Sequence, residues 1–222
     1  PLLFQTRFHT LLRLLLVSPR KVSPMKRSSP YYVVVVVSAL LSVDASANDD
    51  GLYAEVAPAD ASFIRFVGYD ATNVASFAGK AFALNKDEAT SYIPVSSAKL
   101  EGINAGDFVT VVRDGDGVER AISEGPRSDA SKVSLLLVNA TDRVLELRVS
   151  DGSVTVIENV ASMNAGQRGV NPVAIAFGVF ERGSDTPLAT FDTSLRRGQN
   201  VTFLADERGV RLIENRFGRV AK

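Results

Sequence analysis

The sequence predicts an all-β protein: two tandem β-sandwich domains, immunoglobulin-like or jelly-roll-like, that follow a cleaved leader. Short segments rich in β-branched and aromatic residues recur along the chain between turns that contain glycine, asparagine or aspartate. No stretch sustains the apolar spacing of a long helix. One phrase occurs twice, at residues 109–122 and 201–214, which indicates that a structural unit has been duplicated.

Residues 25–47 have the three parts of a secretory signal peptide. The positively charged pair Lys26-Arg27 precedes an apolar run at 31–43, and small residues end the segment at Ala47. The apolar run is shorter than the about 20 residues that span a bilayer, although a membrane anchor is the alternative interpretation. We expect cleavage between Ala47 and Asn48.

Residues 1–24 precede this signal, and we expect them to lie outside the fold. They are rich in leucine and contain arginine but no acidic residue, which also fits an organelle presequence. The simpler interpretation is an upstream or mis-assigned segment, with Met25 as the true start.

The residues after the signal are mildly acidic and lack two reactive side chains. Losing residues 1–47 removes six basic residues and one acidic residue, so the neutral chain would become one of net charge −5. Such a charge does not favour nucleic acid. The chain has no cysteine, and its one histidine, His9, precedes the signal. Without thiolate and imidazole, we expect no enzyme, no cofactor and no metal site.

The strands can be predicted from composition and alternation. The best helix candidate is the short segment 85–93. Eight strands are predicted: 62–69, 91–95, 107–114, 132–139, 143–150, 173–181, 188–193 and 200–206.

The repeated phrase predicts the same hairpin in each half. At an offset of 92 residues, Thr110 aligns with Thr202 and Gly117 aligns with Gly209. Each copy is a strand, an aspartate-led turn with a glycine that can adopt positive φ, and a second strand. An earlier pair of segments, 66–79 and 137–153, is similar at an offset of 69. Two similarities in the same order favour duplication over chance likeness.

The domain boundaries follow from this repeat. We expect a first sandwich at 48–122, a linker at 123–131 and a second sandwich at 132–222. The linker is polar and contains glycine and proline, which is typical of a domain boundary. Residues 158–172 supply most of the extra length of the second half.

Three chemical motifs are weak on inspection. The Ser-Lys groupings Ser96, Ser97, Lys99 and Ser131, Lys132 lack an oxyanion-hole signature. Residues 114–117, Asp-Gly-Asp-Gly, resemble the opening of a calcium loop, but later ligand positions fail and a hairpin turn is the better interpretation. Residues 139–141 and 200–202 match the N-glycosylation pattern, for which we expect only a structural role.

Several exposed polar residues are candidates for contact with a partner. Residues 166–172 predict a loop before the strand at Val173, in which Arg168 and Asn171 could hydrogen-bond a protein or a sugar. Arg196 and Arg197 precede the second copy of the repeat and could meet an acidic polymer or protein.

Two longer segments resemble the AlgF family of periplasmic alginate O-acetylation proteins. In residues 51–68, Leu52-Tyr53 and Ala57-Pro58 precede a Ser-Phe-Ile-Arg strand. In residues 166–191, an Asn-Pro-Val sequence opens a strand. The resemblance covers most of residues 51–213 and is weakest around 80–105.

The resemblance implies a non-catalytic periplasmic adaptor with two β-sandwich domains. Its partners would be a membrane O-acyltransferase and SGNH-type acetyltransferase or acetylesterase-like proteins, and the anionic polysaccharide itself is a further candidate. The candidate contact residues are Tyr53, Arg168, Asn171, Arg196 and Arg197. One alternative is a carbohydrate-binding module, for which three tyrosines outside the signal supply the aromatic groups: Tyr53, Tyr69 and Tyr92. A second alternative is an acetyl carrier that uses serine or threonine.

Overall fold

A computed structural model describes residues 55–69, 74–84, 90–127, 129 and 131–222. The expected signal peptide, its cleavage position at Ala47 and Asn48, candidate residue Tyr53 and most of the helix candidate at 85–93 lie outside these ranges. Within them, the one helical element is a 3-10 turn at Ser97–Lys99, and no helix is long and apolar enough to cross a membrane.

The all-β class is confirmed. The strands are grouped into three four-stranded sheets and one two-stranded hairpin. They are β1 Ala61–Val67, β2 Val74–Phe77, β3 Lys80–Ala83, β4 Ile93–Ser96, β5 Phe108–Arg113, β6 Glu119–Glu124, β7 Val133–Asn139, β8 Leu145–Val149, β9 Thr155–Val160, β10 Asn164–Val170, β11 Ala174–Glu181, β12 Pro187–Ser194, β13 Asn200–Asp206 and β14 Gly209–Glu214.

The first two sheets have the same topology. Sheet 1 has the order β4-β1-β5-β6, and sheet 2 has the order β10-β7-β13-β14. In each, the two central strands are parallel and both outer pairs are antiparallel. Arg65 lies opposite Thr110 in sheet 1, and Leu136 lies opposite Thr202 in sheet 2. A shared mixed topology, with the aligned threonines in corresponding positions, supports the predicted duplication.

The register gives a different offset for the first strand of each copy. Arg65 corresponds to Leu136, 71 residues away, whereas the turn residues suggested 69. The pairing of the strands, and not the sequence of the turn between them, therefore defines which residues of the two copies correspond. Because 69 and 71 differ by two residues, either offset places the same alternate side chains of the strand on the buried face.

Sheet 3, of order β12-β11-β8-β9, packs on sheet 2 and forms a sandwich with it. The buried side chains between them include Leu135 and Leu137 of β7, Leu147 of β8 and Phe203 of β13. In the other half, the β2–β3 hairpin covers sheet 1, and Phe66 and Phe82 pack there. The first half therefore pairs a four-stranded sheet with a hairpin, a smaller sandwich than the second.

Sheets 1 and 2 share a further core. Val67 and Val112 of sheet 1 pack with Val138 and Leu204 of sheet 2, together with Ile122. Residues 48–222 form one compact unit. Strand β6 ends at Glu124, so the first two residues of the segment expected as a linker belong to this strand. The domain boundaries themselves stay a prediction.

The last residues of the chain return to sheet 1. After β14, the backbone N–H of Tyr92 donates to the carbonyl of Arg216, and the N–H of Gly218 donates to the carbonyl of Tyr92. Further on, Ala221 N–H donates to the Pro94 carbonyl. Residues 215–222, which we call the C-terminal strap, thus run beside β4 and tie the second half to the first.

The eight predicted strands are all present with small shifts at their ends, and the repeated hairpins supply β6 and β14 as expected. Gly117 and Gly209 have φ of 81° and 112°, as the turn prediction requires. Asp114 accepts the N–H of Val118, and Asp206 accepts that of Arg208, so both aspartates cap turns.

The prediction of a loop at 166–172 is wrong for most of its length. Residues 164–170 form β10, which pairs along its whole length with β7. The segment lacks apolar alternation because glycine replaces the inward side chain at Gly166. A Cβ there would lie 2.5 Å from a methyl of Ile157 and 2.8 Å from a methyl of Val160. The two sheets approach too closely at this point for any side chain.

We predict that Gly166→Ala lowers the free energy of unfolding by about 1–3 kcal/mol, because stiff β-branched side chains must move to admit the methyl group. Gly169→Ala in the same strand is the matched control, since its Cβ would lie 3.5 Å from the Lys132 Cβ, an ordinary contact. Urea unfolding followed by circular dichroism measures both. Equal stability of the two variants would contradict the packing described here.

A buried arginine network and a basic cleft

The side chain of Arg65 lies between sheets 1 and 2 and is fully buried. Its Nε donates to Thr110 Oγ1 at 2.9 Å, and its Nη1 donates to Thr202 Oγ1 at 3.1 Å. Nη1 also donates to Asn215 Oδ1 at 2.9 Å, and Nη2 to Glu124 Oε1 at 2.9 Å. Because Thr110 and Thr202 are equivalent positions of the repeat, one guanidinium bonds both copies of the duplicated sheet.

Glu124, at the end of β6, accepts hydrogen bonds on both carboxylate oxygens. Oε1 accepts from Arg65 and from the Thr110 hydroxyl. Oε2 accepts from the Tyr92 hydroxyl at 2.6 Å and from Arg127 Nη2 at 2.7 Å. Its side chain has no exposed surface. The buried carboxylate is stabilised because both of its oxygens accept hydrogen bonds and two of the donors, Arg65 and Arg127, carry positive charge.

Arg127 is the second cation of this network. Its side chain is only 8% exposed, and its guanidinium carbon lies 3.9 Å from the Phe108 ring centre and 4.5 Å from that of Tyr92. Its Nε and Nη1 are buried and have no hydrogen-bond partner among the residues that the structure describes. The network thus holds two guanidiniums, those of Arg65 and Arg127, against one carboxylate.

Burial raises the pKa of the Tyr92 phenol well above its usual value, and the nearby Glu124 carboxylate raises it further against the opposing effect of the Arg65 guanidinium. The phenol therefore remains a neutral donor to Glu124. Tyr92 is fully buried, and the Tyr69 hydroxyl is buried too. Tyr92 therefore cannot contribute to an exposed aromatic platform of the kind proposed for a carbohydrate-binding module, whereas the Tyr69 ring is half-buried.

Beside the network lies a cleft of about 290 Å³, which we call the basic cleft. The Gln167 amide donates to the Pro126 carbonyl at 2.7 Å, which joins β10 to the segment after β6. Lys132 Nζ donates to Asn171 Oδ1 at 2.6 Å. The lining residues are Pro126, Arg127, Asp129, Lys132, Ser134, Gln167, Arg168, Gly169, Gly198 and Asn200.

The predicted contact residues separate into two groups. Arg168 is exposed on β10 and lines the basic cleft, and Asn171 is bonded to the cleft residue Lys132. Arg196 and Arg197 are exposed between β12 and β13, and neither lines the cleft. Arg168 and Asn171 therefore both lie near the cleft, although Arg168 Nη1 donates to the Val156 carbonyl of β9 at 3.3 Å, whereas Arg196 and Arg197 lie away from it.

Sequence reasoning missed Arg65, Glu124 and Arg127. A signal existed for Arg65, which lies within strand 61–67 between apolar residues, Phe63 and Ile64 before it and Phe66 and Val67 after it. Glu124 and Arg127 lie in the segment interpreted as a polar linker, and nothing in their local pattern distinguishes them from solvated linker charges.

The serines considered for catalysis bond carboxylates. Ser96 Oγ donates to Asp60 Oδ2 at 2.7 Å, and Ser131 Oγ donates to Asp129 Oδ1 at 2.6 Å. These hydroxyl bonds are the main cause that lowers the pKa of both aspartates, which makes them poor proton acceptors. Lys132 is bonded to Asn171. The geometry fits turn stabilisation.

The two glycosylation patterns are also structural. The Asn139 side chain is fully buried, and its amide donates to the carbonyls of Arg143 and Val160. Thr202, in the second pattern, is buried and bonded to Arg65. In the part of the chain that the structure describes, no group of three or more acidic or histidine side chains could hold a metal ion.

We predict that Glu124→Gln lowers the free energy of unfolding by about 3–5 kcal/mol, because it leaves two buried guanidiniums without a carboxylate. Glu181→Gln is the control: its pairing with Arg143 is about half exposed, and its loss is expected to cost less than about 1 kcal/mol. Chemical denaturation at pH 7 measures both. Similar losses in the two variants would show that the network does not hold the sheets together.

We also predict that stability falls above about pH 10. The phenol of the unfolded chain ionises near pH 10, whereas the buried Tyr92 phenol ionises only at higher pH, so its contribution is complete below that pH and declines above it. The Tyr92→Phe variant should be less stable than the unmodified protein at pH 8, but its free energy of unfolding should fall less between pH 8 and pH 10.5. The urea concentrations at the unfolding midpoint, measured for both proteins at the two pH values, test this. If the two proteins differed by the same amount at both pH values, the assignment of the pH effect to Tyr92 would be refuted.

The comparisons with known proteins agree with one another. A family model described as "Alginate O-acetyl transferase AlgF" matches residues 35–202. The alginate biosynthesis protein AlgF of Pseudomonas fluorescens is 26% identical over 161 residues, which cover 64% of this chain and 71% of that protein. AlgF of Pseudomonas syringae pv. tomato is 25% identical over 173 residues, 72% and 77% of the two chains.

A solved structure of the C-terminal domain of AlgF from P. aeruginosa is 21% identical and covers 37% of this chain and 94% of that one, with a TM-score of 0.32. The family model spans well over half of the residues. This chain therefore belongs to the AlgF family, which is involved in the O-acetylation of alginate.

Proposed function

We propose that this protein is a non-catalytic periplasmic adaptor in the O-acetylation of an alginate-like exopolysaccharide. Its role is to hold components of the acetylation machinery near one another, with a membrane O-acyltransferase and an SGNH-type acetyltransferase as the partners. Family membership supports the pathway. The signal peptide expected at residues 25–47 supports export to the periplasm.

The free edge of sheet 3 is the observation that carries the adaptor role. Strand β12, Pro187–Ser194, is eight residues long and, among the residues that the structure describes, pairs only with β11. Its side chains alternate between half-buried and exposed, and Leu188 is 43% exposed. An open strand of this length can accept an added strand from a partner, with backbone hydrogen bonds for affinity and the alternate side chains for specificity.

The surroundings of the serine hydroxyls support an adaptor, which holds its partners, over a carrier that transfers an acetyl group. A serine that accepts an acetyl group needs a base to remove its proton. The carboxylates bonded to Ser96 and Ser131 have lowered pKa values and are therefore weak bases. This arrangement favours the adaptor over the acetyl-carrier alternative.

A pull-down from the periplasm of an alginate-acetylating bacterium tests the proposal. We expect the tagged protein to recover an O-acetylation component, and we expect Leu188→Lys combined with Thr190→Lys to reduce that recovery several-fold, because two charges on β12 oppose strand addition. Val154→Lys is the matched control, since Val154 is an exposed apolar residue before β9, at the other edge of the same sheet.

Two results would count against the proposal. Recovery of no acetyltransferase or acyltransferase component would remove the adaptor role. If the β12 variant and Val154→Lys reduced the recovery of the acetylation component equally, the adaptor role would remain, but β12 would not be its contact surface. Acetyl content of the exported polymer, measured in the same strains, shows whether the lost contact matters to the pathway.

A further inference from the structure

The sandwich of sheets 2 and 3 is closed along one side and open along the other. On the closed side, β9 and β10 approach so closely that Gly166 has no room for a side chain. On the open side lie the edge strands β12 and β14, each of which pairs with one neighbour in the part of the chain that the structure describes. Two apolar side chains of this side reach solvent, Leu188 of β12 and Leu212 of β14, with 43% and 37% of their surface exposed. A strand added to β12 would extend sheet 3 on this open side.

A β-bulge removes Leu188 from the regular alternation of β12. Its neighbours Pro187 and Ala189 pair with consecutive residues of β11, so Leu188 has no partner in the ladder. An extra residue of this kind bends its strand and re-aims its side chain. Leu188 lines a cavity of about 480 Å³, together with Val210 of the β13–β14 hairpin. We call this cavity, at the start of the open strand, the β12 cavity.

The lining of the β12 cavity combines apolar surface with acidic groups. The apolar part consists of Leu188, Ala140, Ala205 and Val210. The charged part comes from the β7–β8 and β13–β14 turns and consists of Asp142, Arg143, Asp206 and Glu207. The volume lies within the about 300–1,000 Å³ of ligand pockets, which leaves room for a long side chain of a partner.

Two of the three lining carboxylates are available to a partner. Asp206 is paired with Arg211, and Arg143 has an ion-pair partner of its own on β11. Asp142 and Glu207 are exposed, and within the described ranges neither belongs to an ion pair. The cavity therefore offers two uncompensated negative charges beside its apolar surface.

Two further arginines lie on the other side of these acids. Arg113 and Arg120 line a separate, smaller cavity, which shares Asp142 and Glu207 with the first. The Arg113 guanidinium lies over the Tyr69 ring, 5.6 Å from its centre. Among the described residues, no ion pair joins either arginine to the two free acids. These arginines therefore do not occupy the β12 cavity.

Strand β12 carries no base that could protect its edge. Asp192 is the one charged residue of the strand, whereas exposed edges are commonly protected by lysine. A second copy of this chain would bring an acidic strand against an acidic strand, so charge complementarity favours a basic partner. Lysine and arginine have an apolar stem and a charged end, which matches the two parts of the cavity lining.

We propose that the β12 cavity binds a lysine or arginine side chain of a partner protein, carried by the extended segment that adds to β12. The stem contacts Leu188 and Val210, and the charged end lies between Asp142 and Glu207. This inference rests on the proposed adaptor role, because it names the kind of segment that β12 receives. Backbone hydrogen bonds are available to any added strand, so the basic side chain provides the selectivity.

Titration of the isotope-labelled protein with short peptides, followed by amide chemical shifts, tests the site. The peptides alternate valine with threonine and differ at one position, which is arginine, norleucine or glutamate. We expect saturable shifts at Leu188, Thr190 and Gly209 with the arginine peptide. The glutamate peptide should bind about tenfold more weakly or worse, because it opposes like charges. Norleucine keeps the apolar stem without the charge, so its peptide should lie between the two.

Charge-removing variants test the two free carboxylates. Asp142→Asn combined with Glu207→Gln should weaken binding of the arginine peptide about three- to tenfold and leave binding of the norleucine peptide unchanged. Both residues are exposed, so the fold should persist. Glu158→Gln, at an exposed glutamate of β9 on the opposite edge of sheet 3, is the matched control. It should bind the arginine peptide as well as the unmodified protein does.

Three outcomes would overturn the inference. The first is the absence of saturable shifts with the arginine peptide. The second is equal binding of the three peptides, which would show that the cavity does not select a base. The third is self-association, measured by sedimentation equilibrium, that Leu188→Lys abolishes, since it would assign β12 to a second copy of the chain.

These titrations use the isolated protein, so their result is separate from that of the pull-down. Recovery of an acetylation component together with equal binding of the three peptides would retain the adaptor role and remove the basic side chain. Selective binding of the arginine peptide supports the β12 cavity even where the pull-down recovers no acetylation component.

Discussion

The guanidinium of Arg65 is the point on which the arrangement of the two halves depends. It bonds a threonine from each copy of the repeated sheet, and the carboxylate of Glu124 balances its charge. An apolar contact between sheets 1 and 2 could slide, because hydrophobic burial has no direction. Hydrogen bonds to fixed hydroxyls permit one register only, so the network specifies how the two copies meet while Val67, Val112, Val138 and Leu204 supply the buried area.

The duplication is symmetric in its backbone and asymmetric in its chemistry. The position of Arg65 in sheet 1 is occupied by Leu136 in sheet 2, although the neighbouring threonines Thr110 and Thr202 are the same. A second arginine at Leu136 would place two buried cations face to face. One copy therefore carries the charge and the other offers only acceptors. The network as a whole therefore holds two guanidiniums, those of Arg65 and Arg127, against the one carboxylate of Glu124.

The strands and the repeat were predictable because they depend on local patterns. Alternating apolar residues identified β8, and the aspartate-led turns of the repeat located the β5–β6 and β13–β14 hairpins. Strand β10 was missed because Gly166 and Gly169 interrupt the apolar alternation that identifies a strand. The glycine at 166 is needed because β10, paired with β7, lies close to β9, which local sequence does not reveal. The arginine network was missed for a related reason. Its members come from β1, β5, β6, β13, the residue before β4 and the segments after β6 and β14, so no single stretch of sequence contains the pattern.

The C-terminal strap has a consequence for how the molecule is made. Sheet 1 consists of residues near the beginning of the fold, yet its outer edge obtains backbone partners from the strap: Arg216 and Gly218 bond Tyr92, and Ala221 bonds Pro94 of β4. During synthesis or translocation that proceeds from the amino end, the earliest sheet stays open on one side until the last residues emerge. Its completion is therefore a late, long-range event, and the early half remains vulnerable to unwanted strand pairing for longer than its position in the chain suggests.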